Sequence, residues 1–582
     1  MKTKELYNKN EDITLNSYLT KCGVKDINEF LNPTGKYLDD CFAYRNMDKA
    51  VEMFKRNINK DTYILCDSGD CDGITSAVIM YQYMKEIDKD WNIAILIHQG
   101  KERGLQDIDL FEHIKCNPRP FLIIPDSGTN DFEQAEQLRE FNIDILVLDH
   151  HSIDTPIEYG VLINNQDIRN NVSRYGSGCL VTHKFLWALD KTFNFQYTSA
   201  QYIDLVALSL VSDIMNMSDE QNRTYYHYGL ETINCIQNKF LKALFIKFIG
   251  DGKEYTQRDI SFKIVPKLNA ICRSKNQELK YILIDAFLGN EIDYDIDNVL
   301  EKCADAHKNQ ASTVEKIVEN NIDKISNLSK NNLILFSCDE MPRSYSGLIA
   351  SKIMDLSNGK PAIVGKVIDD TFIGSLRSPI PLREELDNND LVDWARGHEP
   401  SCGVQIPKDN LQPLVDYYNS INLSYEPCID VLKSYSIKDI PYNLFELFDP
   451  YTDVLWGNEI SKPIFEIHDI IYYPADVKIL GNNKRTLKIT HIDETLDIDI
   501  LIFNATKQNK IDLGLGYLDD KGNFIDFELN EFPAKKILNI VGTVGINKYV
   551  GRYGKIYINN QIIVDKFETK VYNMIRKEDL FK

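Results

Sequence analysis

The chain has 582 residues, 43% of them apolar, which is enough for several domains with their own cores and too apolar for a disordered chain. Its formal charge of −21 repels polyanions over the surface at large, so a nucleic-acid partner has to be met in a local basic groove or through bound cations. The stretch "MKTKELYNKNEDITLNSYL" has no apolar signal core, no run approaches about eighteen uncharged apolar residues, and the twelve scattered cysteines form no CxxC pair, so no export signal, membrane span or disulfide frame is marked and a cytoplasmic location is expected.

Residues 1–55 read as an N-terminal segment. After them come four short runs, "TYILC" (62–66), "NIAILI" (92–97), "FLIIP" (121–125) and "DILVLD" (144–149), separated by the helix-like "SAVIMYQYMKEI" and "FEQAEQLREF". Strands apolar on both faces and alternating with helices predict an α/β domain with a doubly wound parallel sheet over 56–215. Residues 216–330 lack strand signals and read as a helical connector. From "NLILFS" and "KPAIVGKV", which flank the helical "GLIASKIMDLS", a second and smaller α/β domain is predicted over 331–425. Beyond it "IFEIHDIIYY", "TLKITHI", "DIDILIFNA", "KILNIVGTVGI" and "GKIYINNQIIV" follow strand after strand, as in a small β-barrel of the OB-like kind over 426–582.

In a doubly wound sheet, ligands collect beyond the carboxyl ends of the strands. The acids of this chain gather there: Asp67, Asp70 and Asp72 after the first run, Asp126 after "FLIIP", and Asp149, His150 and His151 after "DILVL". Singly, an aspartate in such a place often caps the next helix. Jointly, five carboxylates and two imidazoles in one region would repel one another strongly unless cations compensate. Carboxylates with imidazole suit Mn²⁺ or Mg²⁺, and two such ions sharing a carboxylate are a common device for cleaving phosphoesters.

"GDCDGITSA", "PDSG", "LDHH" and "DLVALSLVSDIMNM" resemble the four successive motifs of the DHH phosphoesterases. "DEQNR", "VPKLNAICR", "GLIASK", "GSLRS" and "RGHEPSCG" resemble segments of the RecJ branch, the single-strand-specific DNA exonucleases, and "WGNEISKPIF" is similar to the start of its oligonucleotide-binding barrel. The resemblance implies a metal-dependent 5′ to 3′ exonuclease that degrades single-stranded DNA to mononucleotides in recombination, repair or replication. It implies two ions of Mn²⁺ or Mg²⁺ held by Asp70, Asp72, Asp126, His150 and Asp213, with Asp126 bridging them. It further implies that His151 sits beside the scissile phosphate and that Asp149 orients an imidazole. Cys66 and Ser68 depart from the family, which usually has His and Asp there, and a thiol is a soft ligand for a hard ion. Arg103 and Lys101 fall at a cleft edge, with His98 where an arginine is usual.

On the nucleic-acid side the resemblance implies phosphate contacts from Arg273 and from Ser375, Arg377 and Ser378, which read as a Gly-led turn, and places His398 opposite the metals. The last 52 residues hold ten Lys or Arg against five acids, and Arg552 lies in "NKYVGRYGK", where cations alternate with aromatics as a single-strand stacking surface requires. Expected partners are single-stranded DNA and a single-strand-binding protein or helicase, with the chain a monomer and no membrane involved. The alternatives are a DHH phosphodiesterase for short oligonucleotides or cyclic dinucleotides, and a scaffold that keeps the fold without the chemistry. Cys66 and Ser68 favour the scaffold; the other motif acids and histidines oppose it.

Overall fold

A computed structural model describes residues 2–571 apart from 9–10, 99–102, 195–197, 252–253, 290–294, 422–427, 449–452, 482, 493–495, 521, 529–531, 534 and 551–555. Lys101, Arg552 and the Tyr553 and Lys555 beside it lie outside the described residues, and His398 is described in its backbone alone. The chain divides into two units, one of Asn28–Tyr425 and one of Met1–Ile27 with Glu426–Lys582.

The larger unit is built around five parallel strands, β1 (Thr62–Cys66), β2 (Ile93–Ile97), β3 (Phe121–Pro125), β4 (Asp144–Asp149) and β5 (Val161–Asn164), in the order β2-β1-β3-β4-β5. All residues of β1 and β3 are buried, as strands covered on both faces must be. Each fully buried Ile or Leu among them contributes about 1.5–3 kcal/mol. The chain moves from β1 to β2 on one side and then crosses to β3 on the other, so a topological switch point opens between the carboxyl ends of β1 and β3. Helices α1 (Cys71–Ile87), α2 (Gly178–Phe193) and α3 (Ile203–Ser212) pack together beside this sheet. Helices continue through the connector, including α4 (Val265–Cys272) and α5 (Gln277–Leu288).

A second sheet in the same unit consists of β6 (Ile334–Ser337), β7 (Ala362–Ile368), β8 (Thr371–Arg377), β9 (Trp394–His398) and β10 (Ser401–Pro407), ordered β9-β10-β8-β7-β6, with helix α6 (Ser346–Leu356) against β7 and β8. "GSLRS" is therefore not a turn: Gly374 to Arg377 are the end of β8, hydrogen-bonded into β7 and β10. Gly374 is there because an added Cβ would lie 2.7 Å from both the Phe372 ring and the Val364 carbonyl.

In the smaller unit Lys2–Glu5 pairs in parallel with Cys428–Val431. Tyr18 packs against Phe448 and Trp456 and donates to the Ser461 carbonyl at 2.7 Å. These contacts group residues 1–27 with the C-terminal region, while 28–55 go with the first sheet. The C-terminal strands β11 (Ser434–Ser436), β12 (Phe465–Tyr472), β13 (Lys478–Leu480), β14 (Thr486–Ile492), β15 (Asp497–Ile502), β16 (Lys536–Val550) and β17 (Ile556–Val571) form one mixed sheet, β11-β12-β16-β17-β15-β14-β13. β12 and β14 stand four places apart, about 19 Å in a flat sheet. Yet they approach within 8 Å. The sheet curls on itself, which is compatible with the expected barrel. Among the described residues no helix is long and apolar enough to cross a membrane.

Candidate active site

Asp70 caps α1 by accepting the Gly73 N–H at 3.3 Å, and Asp72 follows in the first turn, where the positive helix end favours a carboxylate. Asp72 also accepts the N–H groups of Gly178 and Cys179, at 2.8 and 2.9 Å, from the start of α2. Asp126 leaves β3 in the left-handed region, with φ of 62°, which costs a non-glycine residue about 1–3 kcal/mol and marks a position imposed by its surroundings. A Cβ on Gly178 would lie 2.4 Å from Asp126 Oδ1, so a glycine at that point of α2 makes room for the carboxylate. Asp213 is the C-cap of α3. Partial negative charge at a helix end disfavours an anion there unless a cation is near.

These side chains converge on one imidazole. His150 Nε2 lies 3.2 Å from Asp126 Oδ1, 3.6 Å from Asp213 Oδ2 and 3.7 Å from Asp72 Oδ2. Asp72, His150 and Asp213 form one group of potential ligand atoms within 4.8 Å of one another, and Asp126, His150 and His151 form a second. Burial, reinforced by Asp72 and Asp70, pushes the Asp126 carboxyl well above the usual range. Burial raises Asp213 to about 7 against the pull of His150, and raises Asp72 too, with Asp70 adding to it against His150 and the two α2 N–H groups. Burial alone would lower His150, but Asp213, Asp72 and Asp149 outweigh it and the net shift is upward. Neither oxygen of Asp126 accepts a hydrogen bond among the described residues although both are buried. Three hard carboxylates, one imidazole and two bare buried oxygens fit a divalent cation of the Mn²⁺ or Mg²⁺ kind.

Asp149, one strand over, is the opposite case. It accepts from the Thr129 hydroxyl at 2.6 Å, the Thr129 N–H at 3.1 Å, the His150 and His151 N–H groups at 2.7 and 3.2 Å, and His151 Nδ1 at 2.8 Å. Burial would raise it, yet His151 and these donors outweigh burial and hold it far below the usual range. With its acceptor sites filled it orients His151 rather than reaching the cluster. Asn164 braces the arrangement, donating to Thr129 Oγ1 at 2.8 Å and to the His151 carbonyl at 2.9 Å. On the far side of His151, Arg103 donates to Nε2 at 3.2 Å, which leaves the ring proton on Nδ1. The same guanidinium reaches Asp67 Oδ2 at 3.1 Å and Asp70 Oδ2 at 2.9 Å. Asp70 is thus paired with Arg103. His98, buried beside Gly104, stands 3.7 Å from Asp67.

Cys66 is buried and donates its thiol to the Gly73 carbonyl at 3.5 Å, with burial pushing the thiol up well above its ordinary value. The hydroxyl of Ser68 accepts from Lys280 Nζ, which arrives from α5 at 3.1 Å. Sequence reasoning passed over Lys280, Thr129 and Asn164. For Lys280 a signal existed, a single cation inside the apolar helical run "LKYILIDAFL".

Arg273 follows α4, and its carbonyl accepts the Ser344 hydroxyl at 2.9 Å, tying the connector to the second sheet. Arg377 ends β8 and donates to the Leu376 carbonyl at 2.7 Å. Burial and then the charge of Arg273 pull Arg377 below its usual value. Two guanidiniums thus share one electrostatic neighbourhood, and neither has an ion pair among the described residues. A Cβ on Gly347, at the start of α6, would fall 2.5 Å from the Arg377 guanidinium, so that glycine gives it room. The hydroxyls expected beside them are committed within the fold, Ser375 to Ser346 at 2.8 Å and Ser378 to the Ile380 carbonyl at 2.7 Å. The backbone of His398 pairs with Ser401 at the β9–β10 hairpin.

Residues 61–210 match the DHH family, N-terminal domain, and the chain is RecJ-like in sequence and fold. It is 25% identical to the putative SPbeta prophage-derived single-strand DNA-specific exonuclease YorK of Bacillus subtilis, over 92% of this chain and 94% of that protein. It is 24% identical to the single-stranded-DNA-specific exonuclease RecJ of the same species, over 90% of this chain and 64% of that one. The crystal structure of RecJ in complex with Mn²⁺ from Thermus thermophilus matches with a TM-score of 0.70 at 16% identity, covering 96% of this chain and 76% of that chain.

Proposed function

We propose that this RecJ-like DHH enzyme is a divalent-metal-dependent exonuclease that removes mononucleotides from the 5′ end of single-stranded DNA. The observation that carries the reading is the convergence of Asp72, Asp126 and Asp213 on His150 Nε2, with both Asp126 oxygens left bare. Asp72, Asp126, His150 and Asp213 would hold the cation, and when bound it supplies an acidified water and an electrophilic partner for a phosphate oxygen. Arg103 and His151 line the same site. His151, fixed through Nδ1 by Asp149, presents Nε2 toward the position of the scissile phosphate, and Arg103 offers its charge to the same group. The Arg273 and Arg377 pair, without a carboxylate partner among the described residues, suits the terminal phosphate of the strand. The relatives' specificity for single-stranded DNA supports the substrate, and the basic reversal of the last 52 residues supports a second contact with the strand.

The test is digestion of 5′- and 3′-labelled single strands and blunt duplex of the same sequence, with Mn²⁺, Mg²⁺ or EDTA. Labelled mononucleotide should appear first from the 5′ label, only with metal and only from the unpaired strand. Release from the 3′ label, equal digestion of duplex, or full activity in EDTA would contradict the reading.

A further inference from the structure

We propose, resting on the metal reading above, that the chain holds one divalent ion, among Asp72, Asp126, His150 and Asp213, and that the ammonium of Lys280 and the guanidinium of Arg103 occupy the place of a second. A second ion beside Asp126 would need donors from the loop Cys66–Asp70, the part of the chain that approaches the cluster from β1. Each donor there is already committed. The Cys66 thiol is turned to the Gly73 carbonyl and fully buried. Ser68 offers a neutral hydroxyl, and that oxygen accepts from Lys280. Asp67 and Asp70 each have an oxygen on Arg103.

Lys280 is the telling residue. Its side chain comes from α5, in a turn flanked by the buried Ile282, Leu283 and Ile284, and the residue is 6% exposed. Burying an ammonium is costly unless negative charge is close by. Yet among the described residues it donates to the Ser68 hydroxyl and forms no ion pair. Asp67 and Asp70, on the loop that carries Ser68, are the negative charges available to offset the cost. Two fixed monovalent cations supply the same formal charge as one divalent ion, and both lie on the β1 side of the cluster. The opposite side, toward α2 and α3, has no lysine or arginine on its carboxylates among the described ion pairs, and there both Asp126 oxygens accept no hydrogen bond from the described residues while Asp72 is held by neutral backbone N–H groups. Cys66, Ser68 and the buried Lys280 then form one arrangement: an ion position poor in anionic donors and filled by a permanent cation.

The experiment is Mn²⁺ loading of the full chain, read by metal analysis after desalting and by electron paramagnetic resonance. The expected result is about one Mn²⁺ per chain with the six-line spectrum of an isolated ion. The variant Cys66→His/Ser68→Asp/Lys280→Ala should rise to about two per chain with an exchange-coupled spectrum, whereas Cys66→His/Ser68→Asp with Lys280 kept should stay near one. Two coupled ions in the unaltered chain, or a second ion in the variant that keeps Lys280, would overturn the proposal. The unaltered chain decides the matter even if a variant fails to fold. Binding of no ion at all would instead overturn the metal reading beneath it, and the proposal with it.

Discussion

The ends of β3 and β4 carry aspartates that are equally buried, Asp126 and Asp149 at 1% exposure each, and they lie in opposite environments. Asp149 receives five hydrogen-bond donations and is held ionised; among the described residues Asp126 receives none and is driven toward protonation. Burying a charge is tolerable only where partners replace water. Asp149 carries its partners with it, so its role is internal, to fix a histidine. Asp126 has only the His150 imidazole beside it among the described residues, which suits the cation-holding role proposed for it. Residue type and burial do not separate these roles; hydrogen-bond satisfaction does.

The largest effect should come from removing the bare carboxylate. Asp126→Ala should cut nuclease turnover by about a thousandfold or more, the several kcal/mol of transition-state stabilisation that a metal supplies. Retained activity would place Asp126 with the structural acids. Asp149→Asn should cost about 10- to 100-fold, as expected for a group that orients a residue of the site without reaching the reacting atoms. A loss as deep as that of Asp126→Ala would erase the contrast.

How much of this was legible in the sequence follows from the same physics. Strands apolar on both faces and ending in acids predicted the parallel sheet and put Asp70, Asp72, Asp126 and His150 at its carboxyl ends, while Asp213 was reached only through the resemblance to the DHH phosphoesterases. Local pattern could not show that Asp70 faces Arg103, or that Lys280 reaches Ser68 from α5, because those partners meet only through the packing of helices on the sheet. "GSLRS" looked like a turn because Gly and Ser favour turns. Its strand character comes from β7 and β10 on either side. The grouping of residues 1–27 with the C-terminal unit was likewise invisible, since Lys2–Glu5 finds its partner strand at Cys428–Val431.

A third test moves to the second sheet. Arg377→Ala should remove a charge-assisted contact of about 1.5–3 kcal/mol, lowering the preference for 5′-phosphorylated over 5′-hydroxyl strands by about 10- to 150-fold with metal binding unchanged. Competition between the two substrates in one reaction reads it directly, and an unchanged ratio would detach the arginine pair from the strand end.

The smallest effect is in pH. In the metal-free protein Asp213 sits near 7 and Asp72 and Asp126 are also raised, so each favours the folded state while protonated and withdraws that support as pH climbs from the unfolded carboxylate range through the folded value. Asp149 has the reverse sign, and its contribution is lost only in strong acid. A cation needs the deprotonated forms. The gain in apparent Tm on adding Mn²⁺ should therefore widen between pH 5.5 and 7.5; a gain that is flat or shrinks across this window would mean that the raised carboxyls are not the ligands.

The most direct test compares the two strand ends in one measurement, Mn²⁺ binding by calorimetry to the unaltered chain, Asp126→Ala and Asp149→Ala. The account predicts no detectable binding in Asp126→Ala and binding weakened by about 10- to 100-fold in Asp149→Ala. Unchanged binding in Asp126→Ala, or a loss confined to Asp149→Ala, would contradict it.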